Sequence, residues 1–122
     1  MNTAEDALNY LNDLNMPNVK IHMDTYHMNI EEDNFIDPIK SIGKNKLGMF
    51  HIGENHRGYL GSGHINFKEA FTGLREIEYS GIVTFESFSS KVVDPVLSNT
   101  LAVWRNLWSN SEDLATQALS YI

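Results

Sequence analysis

The chain has 122 residues, of which 42% are hydrophobic and 11% aromatic, and this is enough to bury the core of one globular domain over residues 1–122. Lysine and arginine number 9 against 16 aspartate and glutamate residues, and the net charge of −7 opposes binding to nucleic acid. Cysteine is absent, which excludes disulfides and thiolate metal sites, so any metal must be held by histidine, aspartate or glutamate.

No segment resembles a secretory leader or a membrane span, because no apolar run approaches the roughly 20 residues that a spanning helix needs. We therefore expect a cytoplasmic protein with no membrane partner. No internal repeat, low-complexity tract or long linker interrupts the sequence, and this favours a single domain.

The first half of the chain predicts two helices and two strands in alternation. Residues 5–14 place alanine and leucine at helical spacing, and the sequence NMPN then breaks the pattern. Residues 19–24 are short and rich in valine, isoleucine and methionine, as in a strand. Residues 37–42 begin with Asp-Pro and predict a short helix that Gly43 ends. The sequence KLGMFHIGE, residues 46–54, predicts the second strand.

The second half continues this alternation. Asn66 and Glu69 have the spacing of a capping box, and the helix that follows has an apolar face and ends before Gly81. Residues 81–88, GIVTFESF, predict a third strand. The residues predicted for the helix face are Phe67, Ala70, Phe71, Leu74 and Ile77.

A terminal helical region is predicted from the Asp94-Pro95 pair onward. Either Ser109 or Ser111 is expected to cap a last helix that ends near Ile122. The apolar stripe predicted for the terminal region consists of Leu97, Leu101, Trp104 and Leu107.

Strands that alternate with helices predict an α/β fold with parallel strands, in which ligands gather at the carboxyl ends of the strands. Side chains alternate between the two faces of a strand, so residues of equal parity share a face. The shared-face pairs are His22 with Asp24, Met49 with His51 and Thr84 with Glu86. Their apolar neighbours fit a face covered by helices: Ile21 and Met23, Phe50 and Ile52, Val83 and Phe85.

One face therefore ends, on three successive strands, in Asp24, His51 and Glu86. Neighbouring strands lie about 4.8 Å apart, so these side chains can surround one cation. Taken singly, each has a structural explanation: a strand-terminal aspartate often caps a helix, and a lone histidine is usually a packing residue. Three residues in matching phase favour a metal site, because unpaired burial of Glu86 would be costly.

Two more residues belong to the rim of this predicted site. His27 follows the first strand, and Arg57 lies in the glycine-rich sequence GENHRGYLGSGH that follows the second. A long loop at the ligand end of a sheet commonly carries substrate contacts. The alternative is a flexible surface connection, and composition favours simple solvation for His56 and His64.

The segments DTYHMNIEED, FHIGENHRG, GSGHINFKEA and VTFESFS, in this order and spacing, resemble the ketose 3-epimerases of the tagatose and psicose type. These enzymes belong to the xylose isomerase-like barrel superfamily, and the tail AVWRNLW is similar to the last helix of the family. The resemblance implies a (β/α) barrel of roughly 250 residues or more with its active site at the carboxyl face. The three strands found here resemble the last three of that barrel, so we expect a partial barrel.

The resemblance also implies a divalent metal, commonly manganese, cobalt or magnesium, bound by two glutamates, one aspartate and one histidine. Asp24, His51 and Glu86 match three of these ligands, and the fourth is expected upstream of Met1. His27 and Arg57 resemble the residues that contact the ketose near its carbonyl.

The mechanism implied by the resemblance is proton transfer through a metal-stabilised enediolate, with Glu86 as one of two opposing catalytic glutamates. Because the opposing glutamate has no counterpart here, the chain alone is expected to be inactive. Its partners would be a ketose and, at the open edges of the partial barrel, a second copy or the missing half-barrel.

Three alternatives remain open. The chain can be a noncatalytic remnant that binds sugar or a partner, or another isomerase of the superfamily, of the hydroxypyruvate or xylose type. An endonuclease acting at abasic sites shares the fold, but its additional zinc ligands and basic groove find little support in this acidic sequence.

Overall fold

The computed structural model describes residues 1–122, which form six helices and three strands. None of the six helices combines the length and the hydrophobicity that a membrane-spanning segment requires. The elements in chain order are α1 (Ala4–Leu14), β1 (Ile21–Asp24), α2 (Thr25–Glu31), α3 (Ile36–Lys46), β2 (Leu47–Ile52), α4 (Phe67–Glu76), β3 (Ile82–Phe85), α5 (Pro95–Thr100) and α6 (Ser111–Tyr121).

The chain divides into two compact units, which are described separately. The first unit comprises Met1–Ile52 and Asn66–Thr84, and the second comprises Gly53–Ile65 and Phe85–Ile122. The organisation of residues 1–122 as a single domain stays a prediction.

The three strands form one sheet in the order β1-β2-β3, and the predicted α/β class with parallel strands is confirmed. Strands β1 and β2 pair in parallel, with Asp24 opposite His51 and Met23 opposite Phe50. Burial follows the predicted alternation in β2, where Phe50 and Ile52 are fully buried while His51 is half-buried. This register places the carboxyl ends of β1 and β2 side by side.

Helices α1 to α4 belong to the first unit, and local signals account for most of their ends. The Asn66 side chain accepts a hydrogen bond from the Glu69 amide at 3.2 Å, which confirms Asn66 as the cap of α4. Only this half of the predicted capping box forms, because the Glu69 carboxylate accepts from the Asn66 side-chain amide at 3.2 Å and from the Phe35 amide at 3.3 Å.

Gly43, at which α3 was predicted to end, has a left-handed φ of 69°. It interrupts the helix, and a short helical turn follows it up to Lys46. Between α3 and α4, the apolar side chains of Ile39 and Leu74 belong to the buried core.

Helix α2 was not predicted. It begins directly after β1, and Asp24 caps it by accepting a hydrogen bond from the Tyr26 amide at 2.7 Å. Thr25 and Met28 are the buried residues of this helix. With only 7 residues, the helix is too short for a helical period to stand out in the sequence.

The expectation that helices cover the apolar face of all three strands is wrong at β3, where Val83 is 39% exposed. Ile82, on the opposite face of this strand, is 62% exposed. The main contacts between helices and strands in the first unit are those with β1 and β2. Association at the open edges of the partial barrel stays a prediction.

The terminal helical region is shorter than predicted, and the prediction of an apolar stripe along it is wrong. Helix α5 ends at Thr100, and Trp104 is 70% exposed. The chain turns because the Val103 amide donates to the Ser98 carbonyl at 2.9 Å while the Ser98 hydroxyl donates to the Val103 carbonyl at 2.6 Å. This turn buries Val103 instead of the predicted stripe.

The caps at the start of α5 and α6 follow the same chemistry as α4. Asp94 caps α5 as predicted, accepting a hydrogen bond from the Val96 amide at 2.8 Å. The cap of α6 is Asn110, which lies between the two serines that were predicted, and it accepts from the Glu112 amide at 2.9 Å. Asparagine and serine are equally good caps, so residue type could not distinguish them.

We expect the stability of the second unit to fall at alkaline pH through Tyr59. Its hydroxyl donates to Asp113 at 2.7 Å, and this hydrogen bond to a negative acceptor raises the pKa of Tyr59. The contribution is fully present below the pKa of an unfolded tyrosine, about 10, and is lost as pH rises through the higher folded value. Unfolding by urea at pH 8 and pH 11 should show a smaller pH effect in Tyr59→Phe. An equal effect in both proteins would contradict this assignment.

Candidate active site

His22, Asp24 and His51 form a cluster in the first unit, and one potential ligand atom from each lies within 4.8 Å of the others. The parallel register of β1 and β2 brings Asp24 and His51 together, with 3.8 Å between Asp24 Oδ2 and His51 Nδ1. His22 lies two residues before Asp24 on the same face, and its ring meets the His51 ring edge-on at 4.1 Å between centroids. We call these three residues the β1–β2 cluster.

Asp24 has two roles in this cluster. One carboxylate oxygen, Oδ1, accepts from the Tyr26 amide at the start of α2, while the other, Oδ2, is the atom nearest to His51. The residue is only 6% exposed. The helix cap therefore fixes the carboxylate in a buried position where its second oxygen faces an imidazole.

The β1–β2 cluster has the donors that a divalent ion requires. Two imidazoles and one carboxylate supply nitrogen and oxygen ligands, a set that suits several divalent metals. Burial is graded across the cluster, from the exposed His22 through the half-buried His51 to the buried Asp24. The residues present thus fit a divalent metal.

His22 was not predicted as a ligand, although the signal for it was available. Its parity with Asp24 had already placed both side chains on one face of β1. The residue lies one pleat further from the strand end, and the prediction considered only strand-terminal residues.

Arg57 and Glu86 form an ion pair in the second unit. The side chain of Arg57 is 7% exposed and that of Glu86 is 31% exposed. The Arg57 guanidinium also lies over the Phe88 ring, 5.5 Å from its centroid. Glu86 is therefore half-buried and paired, so the expected cost of burying it unpaired does not arise, and its roles as metal ligand and base stay predictions.

The other histidines are placed differently. His27 is exposed on α2, packs edge-on against Tyr26 at 5.1 Å between centroids, and borders a surface cavity of about 210 Å³. His64 is exposed, as expected. His56 is half-buried rather than merely solvated, because its Nδ1 accepts a hydrogen bond from the Gly58 amide at 3.0 Å.

Comparison with known proteins identifies the fold. The sequence profile described as "Xylose isomerase-like TIM barrel" matches residues 1–121. The chain belongs to this family. Its three parallel strands with flanking helices are part of a TIM barrel, so the predicted fold and the predicted resemblance are both confirmed.

Several members of the family are similar over the whole chain. An L-ribulose 3-epimerase from Methylomonas sp. (strain DH-1) is 54% identical over 122 residues, and a ketose 3-epimerase from Arthrobacter globiformis is 52% identical over 122 residues. These alignments include 100% of this chain and 42% of each relative. The chain thus spans less than half the length of these relatives.

A solved structure agrees with the sequence comparison. The crystal structure of D-allulose 3-epimerase from Methylomonas sp. in complex with D-allulose has a TM-score of 0.95 and 54% identity, covering 99% of this chain and 42% of the other.

Proposed function

We propose that the chain carries part of the active site of a divalent-metal-dependent ketose 3-epimerase. The observation that carries this proposal is the side-by-side position of Asp24 and His51 at the carboxyl ends of β1 and β2. The names of the relatives, which are ketose and L-ribulose 3-epimerases, support the reaction type. Asp24 and His51 would hold manganese, cobalt or magnesium together with Glu86, which the resemblance assigns as a further ligand.

The proposed chemistry exchanges the hydrogen on carbon 3 of a ketose. When bound, a divalent ion polarises the carbonyl and makes the hydrogen on the neighbouring carbon more acidic. Glu86 takes that proton from one epimer and returns a proton to the same carbon in the reverse reaction. Arg57 and His27 donate hydrogen bonds near the carbonyl. Arg57 also orients the carboxylate of Glu86, which it contacts directly.

The proposal predicts low activity for the 122-residue chain alone. A group that transfers a proton on the opposite face of carbon 3 has no counterpart among its residues, and such a group contributes about 100-fold or more to the rate. The assay measures epimerisation of D-fructose and D-tagatose with Mn²⁺ present, against a full-length relative. Turnover comparable to that of the full barrel would refute the prediction that the chain alone has low activity.

Analysis of the product separates this function from other reactions of the superfamily. A ketose 3-epimerase inverts the configuration at carbon 3 and leaves the keto group in place, whereas an isomerase of the hydroxypyruvate or xylose type moves the carbonyl to the terminal carbon and gives an aldehyde. An aldehyde product with no 3-epimer would replace our proposal with the isomerase.

A noncatalytic remnant is the second candidate, and the Arg57–Glu86 ion pair favours it, because this pair satisfies Glu86 without a metal. Titration of Glu86→Gln with Mn²⁺ distinguishes the two. A lower affinity than that of the unmodified chain supports Glu86 as a ligand, and an unchanged affinity supports the remnant.

A further inference from the structure

Glu54 is a fully buried carboxylate, 0% exposed, that no step of the proposed reaction uses. Its oxygens accept hydrogen bonds from three backbone amides of its own loop, those of Gly61 at 2.9 Å, Asn55 at 3.3 Å and Ile65 at 3.5 Å. A buried charge is strongly unfavourable unless hydrogen bonds satisfy it. The Gly53–Ile65 loop is therefore folded around this one side chain.

Gly63 closes the loop over Glu54. A Cβ atom at residue 63 would lie 2.2 Å from Glu54 Oε2 and 2.2 Å from the Asn55 side-chain oxygen, a separation that real atoms do not adopt. Asn55 in turn accepts from the His64 amide at 3.0 Å. The absence of a side chain at residue 63 is thus what allows the carboxylate to reach the amides at the far end of the loop.

Hydrogen bonds also fix the backbone of Arg57 within the Gly53–Ile65 loop. Its amide donates to the Glu54 carbonyl at 2.9 Å, and its own carbonyl accepts from the Phe88 amide at 3.0 Å and from the Ser87 hydroxyl. Trp108 donates its indole N–H to that hydroxyl at 2.8 Å, which leaves the hydroxyl hydrogen for Arg57. Both polar backbone groups of Arg57 are therefore held by hydrogen bonds that do not involve its contact with Glu86.

We propose that Glu54 is a positioning residue that holds the Gly53–Ile65 loop in the conformation in which the Arg57 guanidinium contacts Glu86. The inference rests on the proposed function for the importance of this contact to a ketose, but the contact itself belongs to the chain. A merely structural Glu54 would stabilise the second unit without determining where the Arg57 guanidinium lies.

The test compares Glu54→Gln with the unmodified chain by NMR. Glutamine has a similar shape but turns one acceptor into a donor that faces backbone amides. We expect the amides of Gly61 and Ile65 to exchange with D₂O at least about ten-fold faster, as expected for the loss of one hydrogen bond to a charged group. We also expect the Arg57 Nε–H resonance to move to the position that it has in Glu86→Gln, where the partner of Arg57 is changed instead.

A matched control is Glu112→Gln, which changes an exposed carboxylate in the first turn of α6. It should leave both measurements unchanged. Faster exchange in Glu54→Gln together with an unmoved Arg57 resonance would overturn the proposal and make Glu54 a structural residue only.

A second variant keeps the test decisive if Glu54→Gln does not fold. Gly63→Ala retains the carboxylate but forces it off the amides, and it should give the same movement of the Arg57 resonance. In the unmodified chain, exchange of the Gly61 amide at the rate of an unstructured peptide would overturn the proposal whatever the variants do. These measurements need neither sugar nor metal, so a failed epimerase assay leaves them valid.

Discussion

Replacing Asp24 with alanine is expected to lower the affinity of the chain for Mn²⁺ by about 100-fold or more, because even residues that only orient metal ligands contribute about 10–100-fold. Asp24 is the one negatively charged member of the β1–β2 cluster and its most buried residue. The two imidazoles that remain in the cluster carry no negative charge to offset the desolvation of the ion, and Glu86 would be the one anionic ligand left in the proposed set. Isothermal titration with Mn²⁺ measures the change.

The same substitution also removes the cap of α2, which costs about 1 kcal/mol in the free energy of unfolding, so controls must separate the two effects. Asp24→Ser retains a good cap but removes the carboxylate, and it should lose Mn²⁺ affinity while keeping near-normal stability. Asp94→Ala removes an equivalent cap from α5 and should leave the affinity unchanged. Wild-type affinity in Asp24→Ser would show that Asp24 does not hold the ion.

Phe50→Ala should destabilise the first unit by about 3–5 kcal/mol, a large part of the about 5–15 kcal/mol by which typical domains are stable. Phe50 is 0% exposed at the centre of β2, and its neighbour His51 points to the opposite face. The loss comes from the apolar surface removed and from the cavity that remains. Urea unfolding monitored by circular dichroism gives the free energy.

Tyr10→Ala is the matched control for Phe50→Ala, because Tyr10 is an aromatic residue of the same unit that is 56% exposed on α1. Its effect should be small. If the unfolding midpoint of Phe50→Ala moves no further than that of Tyr10→Ala, Phe50 is not part of the stabilising core.

The sequence predicted best what depends on short-range geometry. Strand alternation correctly separated His51 from Phe50, and residue type correctly identified the caps Asn66 and Asp94. The juxtaposition of Asp24 with His51 followed from one further assumption, that the strands are parallel.

Features that depend on tertiary packing could not be predicted in this way. Valine is a residue type that is common in buried strands, yet Val83 is exposed. Its exposure depends on where the helices pack, and their main strand contacts are with β1 and β2. Trp104 continued an apolar spacing that the Ser98–Val103 turn interrupts. The charge of Glu86 is evident from the sequence, but its partner could not be identified there, because Arg57 lies 29 residues away in the chain.

Arg57 occupies the left-handed region of backbone conformation, with a φ of 65°. For a residue with a side chain this conformation costs about 1–2 kcal/mol, whereas glycine adopts it freely. Glycine or asparagine at this place would therefore give a more stable loop, whereas the proposed reaction requires the guanidinium of arginine. If Arg57 has the proposed role, the protein gives up some stability at this residue in return for a contact with the sugar.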